Sequence, residues 1–208
     1  MSVYVPFSRN VEIMPDQGAW FPVNQCLWNG PRCLKVHFSM NDIYPSCKRL
    51  FTEVLGVSDA SMKEVMFEAV LFKKTDDLEY MRDVFWELEK FLEKDETYTV
   101  RLHALNGKPI WPVKETLGPG EFEEVLSTGA DWFIADTEPL RESFTGIVPL
   151  LAFATNDIGR MERLMNGLGM DNKRLSRATK SVPKTDGRVA LHLEHTKAFI
   201  SKFEYIAR

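Results

Sequence analysis

DDLEYMRDVFWELEKFLEK, residues 76–94, is the stretch on which the fold turns. Leu78, Met81, Val84, Phe85, Leu88, Phe91 and Leu92 recur at helical spacing, which gathers the apolar side chains into one stripe and leaves the charged ones outside it. Asp76 or Asp77 offers a carboxylate to the first free backbone N–H groups, so the helix starts there. Such a stripe must be covered, and the neighbouring sequence has to supply the cover.

Upstream, Asp59 or Ser61 caps a shorter helix with Glu64 in its first turn and Val65, Met66, Ala69 and Val70 facing inward. Before it, from Pro45, the residues Leu50, Phe51, Val54 and Leu55 mark another helical face. Gly56 follows where a left-handed C-cap is easiest. Cys33 to Phe38 alternates as a short, half-buried strand. Residues 1–31 combine Pro6, Pro15, Pro22, Pro31, Gly18 and Gly30 with Tyr4, Phe7, Trp20, Phe21 and Trp28, the signature of extended chain with turns that still packs.

Downstream, Tyr98 to Leu105 alternates like a strand, Asn106-Gly107 reads as a hairpin turn, and Ile110-Trp111-Pro112-Val113 returns as an edge strand. Gly118-Pro119-Gly120 is a loop, and Trp132-Phe133-Ile134-Ala135 is a buried strand ending at Asp136. Pro139 suits the first turn of a brief helix through Phe144, and Ile147 to Phe153 is extended. Asn156 or Asp157 starts a helix carrying Ile158, Met161, Leu164, Met165 and Leu168, which Gly169 stops. Lys180 to Gly187 is polar and turn-rich, and a helical pattern resumes from Val189 to about Ile206. The expected architecture is a single α+β domain, several helices packed on a small mixed or antiparallel sheet. Residues 1–31 form an aromatic-rich extended segment packed on a domain of residues 32–208.

The 208 residues are 44% hydrophobic and 27% charged, an ordinary globular balance for a chain able to bury a full core. With 26 Lys and Arg against 30 Asp and Glu the net charge is −4, which argues against a nucleic-acid partner, since that would need a basic stripe. Cys26, Cys33 and Cys47 are an odd count without a short metal-type pair, as in reduced thiols of the cytoplasm or nucleus. No stretch has the length or apolarity of a signal peptide or a membrane span.

Several segments together resemble large fungal proteins of the sacsin-like and NO VEIN-like kind. They are Leu50-Phe51, Leu55-Gly56-Val57, Ala60-Ser61 with Glu64, and Ile110 to Val113, then Trp132 to Asp136, Leu140 to Phe144, Gly146, Val148 to Leu151, Phe153 and Leu175-Ser176-Arg177. The likeness runs from about residue 20 to the end. Such proteins carry an amino-terminal ATPase of the gyrase, Hsp90 and histidine-kinase type. This chain has no Asp-x-Gly-x-Gly motif, so the resemblance implies a non-ATPase module.

Candidate site residues divide by chemistry. Asp131 and Asp136 bracket the apolar run at Trp132, where a carboxylate forced against aromatic rings has a raised pKa, although an aspartate at a strand end more often accepts backbone hydrogen bonds. His103 and Tyr98 complete the set of acids and bases for an enzyme reading. Arg141, beside Glu142, offers an anion or carboxylate contact. Trp20, Trp28 and Trp111 lie near prolines in irregular chain and, with Trp132, are the aromatic binding candidates, against a default of core packing. His192 and His195 sit one helical turn apart but lack the zinc-protease spacing. Cys26, Cys33, His37 and Cys47 match no zinc finger or ribbon, so no metal is expected. Lys173, Arg174, Arg177, Lys180, Lys184 and Arg188 form one basic stretch, read as solvated surface. No phosphate loop is present and no cofactor is expected.

Two functions follow. The first is an interaction or regulatory module that binds a protein partner through an aromatic and apolar surface. The alternative is a cofactor-independent enzyme of fungal specialised metabolism, a cyclase or isomerase with a small apolar ligand in its pocket.

Overall fold

The computed structural model describes residues 1–5, 18–118, 121–128 and 132–179. In chain order they form strands β1 (Ser2–Val5), β2 (Ala19–Pro22), β3 (Cys26–Leu27) and β4 (Phe38–Ser39), followed by helices α1 (Met40–Ile43), α2 (Met62–Val70) and α3 (Leu78–Lys94). Then come β5 (Trp111–Gly118), β6 (Glu121–Ser127), α4 (Glu138–Phe144), β7 (Leu150–Leu151), α5 (Thr155–Gly159), α6 (Glu162–Gly167) and α7 (Leu175–Ala178). Helices beside small sheets make the fold α+β, and Met1–Ala178 is one compact unit.

Local chemistry accounts for most element ends. The Asp77 carboxylate accepts the Glu79 N–H at 3.3 Å and starts α3, whose inner face buries Met81, Val84, Phe85, Leu88 and Leu92. α2 begins with a full capping box: Ser61 caps the first turn, and Glu64 reaches back to accept the Ser61 N–H at 2.8 Å. Leu50–Val54 is a π-helical turn closed by Leu55 N–H on the Leu50 carbonyl, and Gly56, at φ +68°, supplies the left-handed residue that lets Val57 N–H reach Phe51. Gly169, at φ +69°, ends the segment after α6 in the same conformation.

The largest sheet has the order β6-β5-β7, all antiparallel, with Val113 opposite Val125 on one side and Leu151 on the other. The Trp132–Ala135 run continues this layer through parallel bridges, Phe133 to Leu150 and Ile134 to Arg174. The main core lies between this layer and α2, α3 and α6. At its centre the Phe85 ring stacks on Trp111 at 5.2 Å and meets Phe72 and Phe153 edge-on at 5.6 Å, while Trp111 touches Trp132 at 5.5 Å. Each such pair adds about 0.5–1.5 kcal/mol to the burial of the rings. A second cluster joins Val5, Cys26, Trp28, Met40, Phe51 and Val57, and a third joins Ala135, Leu150 and Leu175.

Five local expectations are corrected. Tyr98 to Leu105 lies within a 3-10 helix, Glu96–Leu105. Strand alternation would put Val100 and Leu102 on one face, yet Val100 is exposed and Leu102 is buried together with Leu105, the three-residue period of a 3-10 turn. Asn106-Gly107 therefore ends a helix, with Gly107 at φ +71°, and closes no hairpin. Cys33 to Phe38 is bent, because the Glu68 carboxylate takes the Lys35 and Val36 N–H groups that a strand ladder would use; only Phe38–Ser39 pairs, parallel to β3. Ile110 to Val113 leads into the central strand β5 and not an edge strand. Pro112 is tolerated because β7 pairs only with Val113 and Lys114, and the Pro112 carbonyl still accepts from Ala152. Finally, the helix expected from Asn156 to Leu168 is two short helices, α5 and α6. The expectations for Pro119-Gly120, Asp131 and everything after Thr179, including His192 and His195, lie outside the described residues.

Candidate functional site

α2 is apolar on two faces. Met62, Val65 and Ala69 are buried toward α3, while Lys63, Met66, Phe67 and Val70, at i, i+3, i+4 and i+7, form a second stripe, in which Phe67 and Val70 are exposed and Met66 is half-buried against the main core. Facing that stripe across an open groove of about 840 Å³ are Val100, Arg101, Ala104 and Leu105 of the 3-10 helix, with Asn24 and His37 at one end. Phe67 is 49% exposed, Val70 38% and Val100 73%, so the groove is an apolar surface in contact with water.

The polar groups of the groove are few. Glu64 is engaged by the cap: its Oε2 accepts from the Ser61 N–H at 2.8 Å and the Ser61 hydroxyl at 2.6 Å. Partial burial works against its charge, but the Ser61 hydrogen bonds outweigh this and, helped by His37, hold its carboxyl below the usual range. The His37 ring meets Phe67 edge-on at 6.2 Å, and its buried Nδ1 has no hydrogen-bond partner among the described residues. Lys63 and Arg101 form no ion pair among the described residues; Arg101 lies over the Tyr98 ring at 4.8 Å.

Among the described residues, His37, weighed in the sequence only as a metal ligand with the cysteines, lines this groove; the acid, base, arginine and tryptophan candidates do not. Trp28, Trp111 and Trp132 are buried in the two larger cores, where the rings pack on Phe51 and Phe85 and on each other, so they offer no docking surface; Trp20, 69% exposed against Tyr4, is the exception. Arg141 holds the Phe153 carbonyl and the Thr155 hydroxyl, a tie within the fold. Asp136 accepts from the backbone and hydroxyl of Ser176 at the start of α7. Tyr98 packs edge-on against Phe91 at 6.3 Å, and His103 is exposed, with Nδ1 3.2 Å from the Asn106 amide. Asp131 lies outside the described residues. Of the basic stretch, Lys173 donates to the Trp132 carbonyl at 3.2 Å, and Arg174 and Arg177 share Asp171. The three cysteines are free, and burial, with Glu87 nearby, pushes the Cys33 thiol up to about 12, which leaves it a poor nucleophile at neutral pH. Among the described residues no cluster of three His, Cys, Asp or Glu is placed to hold a metal ion, and no helix is long and apolar enough to cross a membrane.

Val70, expected to face inward, instead lines the groove, and Met66, expected likewise, packs on the main core and lines the groove as well; Phe67 and Val100, which sequence reasoning missed, join them. One signal was available: five apolar residues besides alanine crowd the nine of α2, more than a single stripe can hold. Val100 is hidden by the strand-like alternation of its segment. Two buried carboxylates are equally silent in the sequence. Glu68 accepts from Lys35 and Val36 N–H and, at 2.5 Å, from the Tyr80 hydroxyl, whose pKa rises through burial and that bond; Glu89 accepts the Arg163 and Leu164 N–H groups at 3.1 and 2.8 Å and so caps α6.

One family, described as Domain of unknown function (DUF8348), matches residues 62–179, more than half of the chain. No curated protein matches the chain, and no solved structure does.

Proposed function

We propose that the chain, which belongs to the DUF8348 family, is a protein-interaction module without an ATPase of its own, and that it engages its partner through the groove between α2 and the 3-10 helix. The observation that carries this reading is the second apolar stripe of α2. A helix that is apolar on two faces is ordinarily covered on both, and here one is left open to water. Aromatic and aliphatic side chains at the centre of an exposed groove are the groups that contribute most to protein association. The likeness to the non-ATPase region of sacsin-like and NO VEIN-like proteins supports the same role, and the unpaired thiols of Cys26, Cys33 and Cys47 suit a cytoplasmic or nuclear setting.

The test uses the full chain and its Phe67→Glu, Val100→Glu double variant. Both side chains face water, so the variant should unfold within about 0.5 kcal/mol of the parent. A protein recovered with the parent and then purified should bind it saturably and bind the double variant at least ten-fold more weakly. A recovered partner that binds both equally, or no saturable protein partner at all, counts against the reading.

A further inference from the structure

We propose that the occupant of this groove is a short amphipathic helix of a partner protein, about two turns long, with acidic residues flanking its apolar stripe. The inference rests on the protein-binding reading above and adds the chemistry of the partner.

Three observations carry it. The first is size: Lys63 to Val70 spans about 10 Å of helix, and a two-turn helix about 11 Å long and 10 Å across occupies about 850 Å³, close to the 840 Å³ of the groove. The second is the nature of the walls. Both are helical, with their backbone N–H and C=O groups already engaged within the turns, so the groove offers no open strand edge to an extended peptide. A helix, which satisfies its own backbone, fits such walls through side chains alone. The third is charge. Glu64 is held by Ser61, whereas Lys63 on one wall and Arg101 on the other keep their charges free of ion pairs among the described residues. With Lys63 and Arg101 against the single carboxylate of Glu64, the lining carries a net positive charge beside an apolar floor, on a chain whose net charge is −4, and it complements an apolar stripe bordered by carboxylates.

The experiment uses two synthetic helical peptides with one apolar stripe (Leu, Phe and Ile at i, i+4 and i+7), one flanked by Glu and one by Lys, titrated into the full chain by fluorescence anisotropy. The expected result is at least ten-fold tighter binding of the Glu-flanked peptide, a ratio that shrinks as salt is raised. Lys63→Glu with Arg101→Glu should reverse the preference, with the unfolding midpoint as the control for folding. Phe67→Glu should abolish binding of both peptides. Equal binding of the two peptides, lost in Phe67→Glu, would overturn the acidic helix and leave the protein-binding reading standing. Binding of neither peptide overturns this inference, and the module then stands or falls on the purified partner. A concentration-dependent dimer in sedimentation that Phe67→Glu abolishes, or a small apolar molecule found on the chain by native mass spectrometry and lost in that variant, overturns it as well, by assigning the groove to a second copy or to a ligand.

Discussion

The region that the family match covers, from Met62 onward, and the region before it solve the same packing problem with different means. From Met62 on, a single long helix, α3, presents an unbroken apolar face to α2, α6 and the sheet, and Phe85, Leu88, Val84, Ile110 and Met161 are wholly enclosed. Among its described residues the amino-terminal region has no helix of comparable length. It joins six buried residues, four from short elements and Trp28 and Val57 from the chain between them, fastened by backbone bonds such as Trp28 N–H to Ser58 and Ala60 N–H to Asn29, while Leu27 and Leu34 reach into the larger core. A core built around one long helix resists opening as a unit, whereas a patchwork of short pieces can open locally at lower cost. The groove is shared between the two regions: Asn24 and His37 come from the amino-terminal one and the remaining lining residues from the other.

The largest effect tests this contrast directly. Phe85→Ala should lower global stability in urea by about 3–5 kcal/mol, because it leaves a cavity where four rings meet. Phe51→Ala, in the amino-terminal region, should cost less in the same titration and show itself mainly as faster hydrogen exchange at the Trp28 and Val57 amides. Equal global losses would show that the two regions unfold as one.

A middle-sized effect concerns the two buried carboxylates. Glu89→Ala leaves the Arg163 and Leu164 amides unpaired and should cost about 1–3 kcal/mol of global stability. Glu68→Ala frees Lys35 and Val36, and its loss of exchange protection should concentrate before residue 60. A uniform loss of protection across the chain in the Glu68 variant would erase the distinction between the regions.

The smallest effect lies at their junction. Ser61→Ala should cost about 1 kcal/mol through the lost cap. Because Glu64 titrates lower in the folded chain than in the unfolded one, its contribution is fully present above the unfolded carboxylate range and is lost as pH falls through the folded value. Removing the Ser61 hydroxyl should therefore make stability less steep in pH across that acidic window. An unchanged slope in thermal melts would show that the hydroxyl does not hold the carboxylate.

The legible stretches of the sequence are those in which one local signal governs the outcome. The period of α3, the capping box at Ser61 and the glycines at 56 and 169 each act within a turn or two of themselves. Other stretches are decided from a distance. Residues 33–38 alternate like a strand, yet Glu68, more than thirty positions on, takes their amides; residues 98–105 do the same, yet their neighbours bury every third residue. The groove depends on two such segments meeting, so neither its Phe67 nor its Val100 stands out in the sequence, while the tryptophans that do stand out go mostly to the interior.

That placement of the tryptophans makes the chain its own optical reporter. Trp28, Trp111 and Trp132 are enclosed and Trp86 is contacted by the guanidinium groups of Arg82 and Arg160, at 4.5 and 3.7 Å from its ring centre, whereas the indole of Trp20 is in water. Its red-shifted emission should be the fraction that acrylamide quenches first, so a quencher titration reads the β1–β2 pair separately from the interior without any added label.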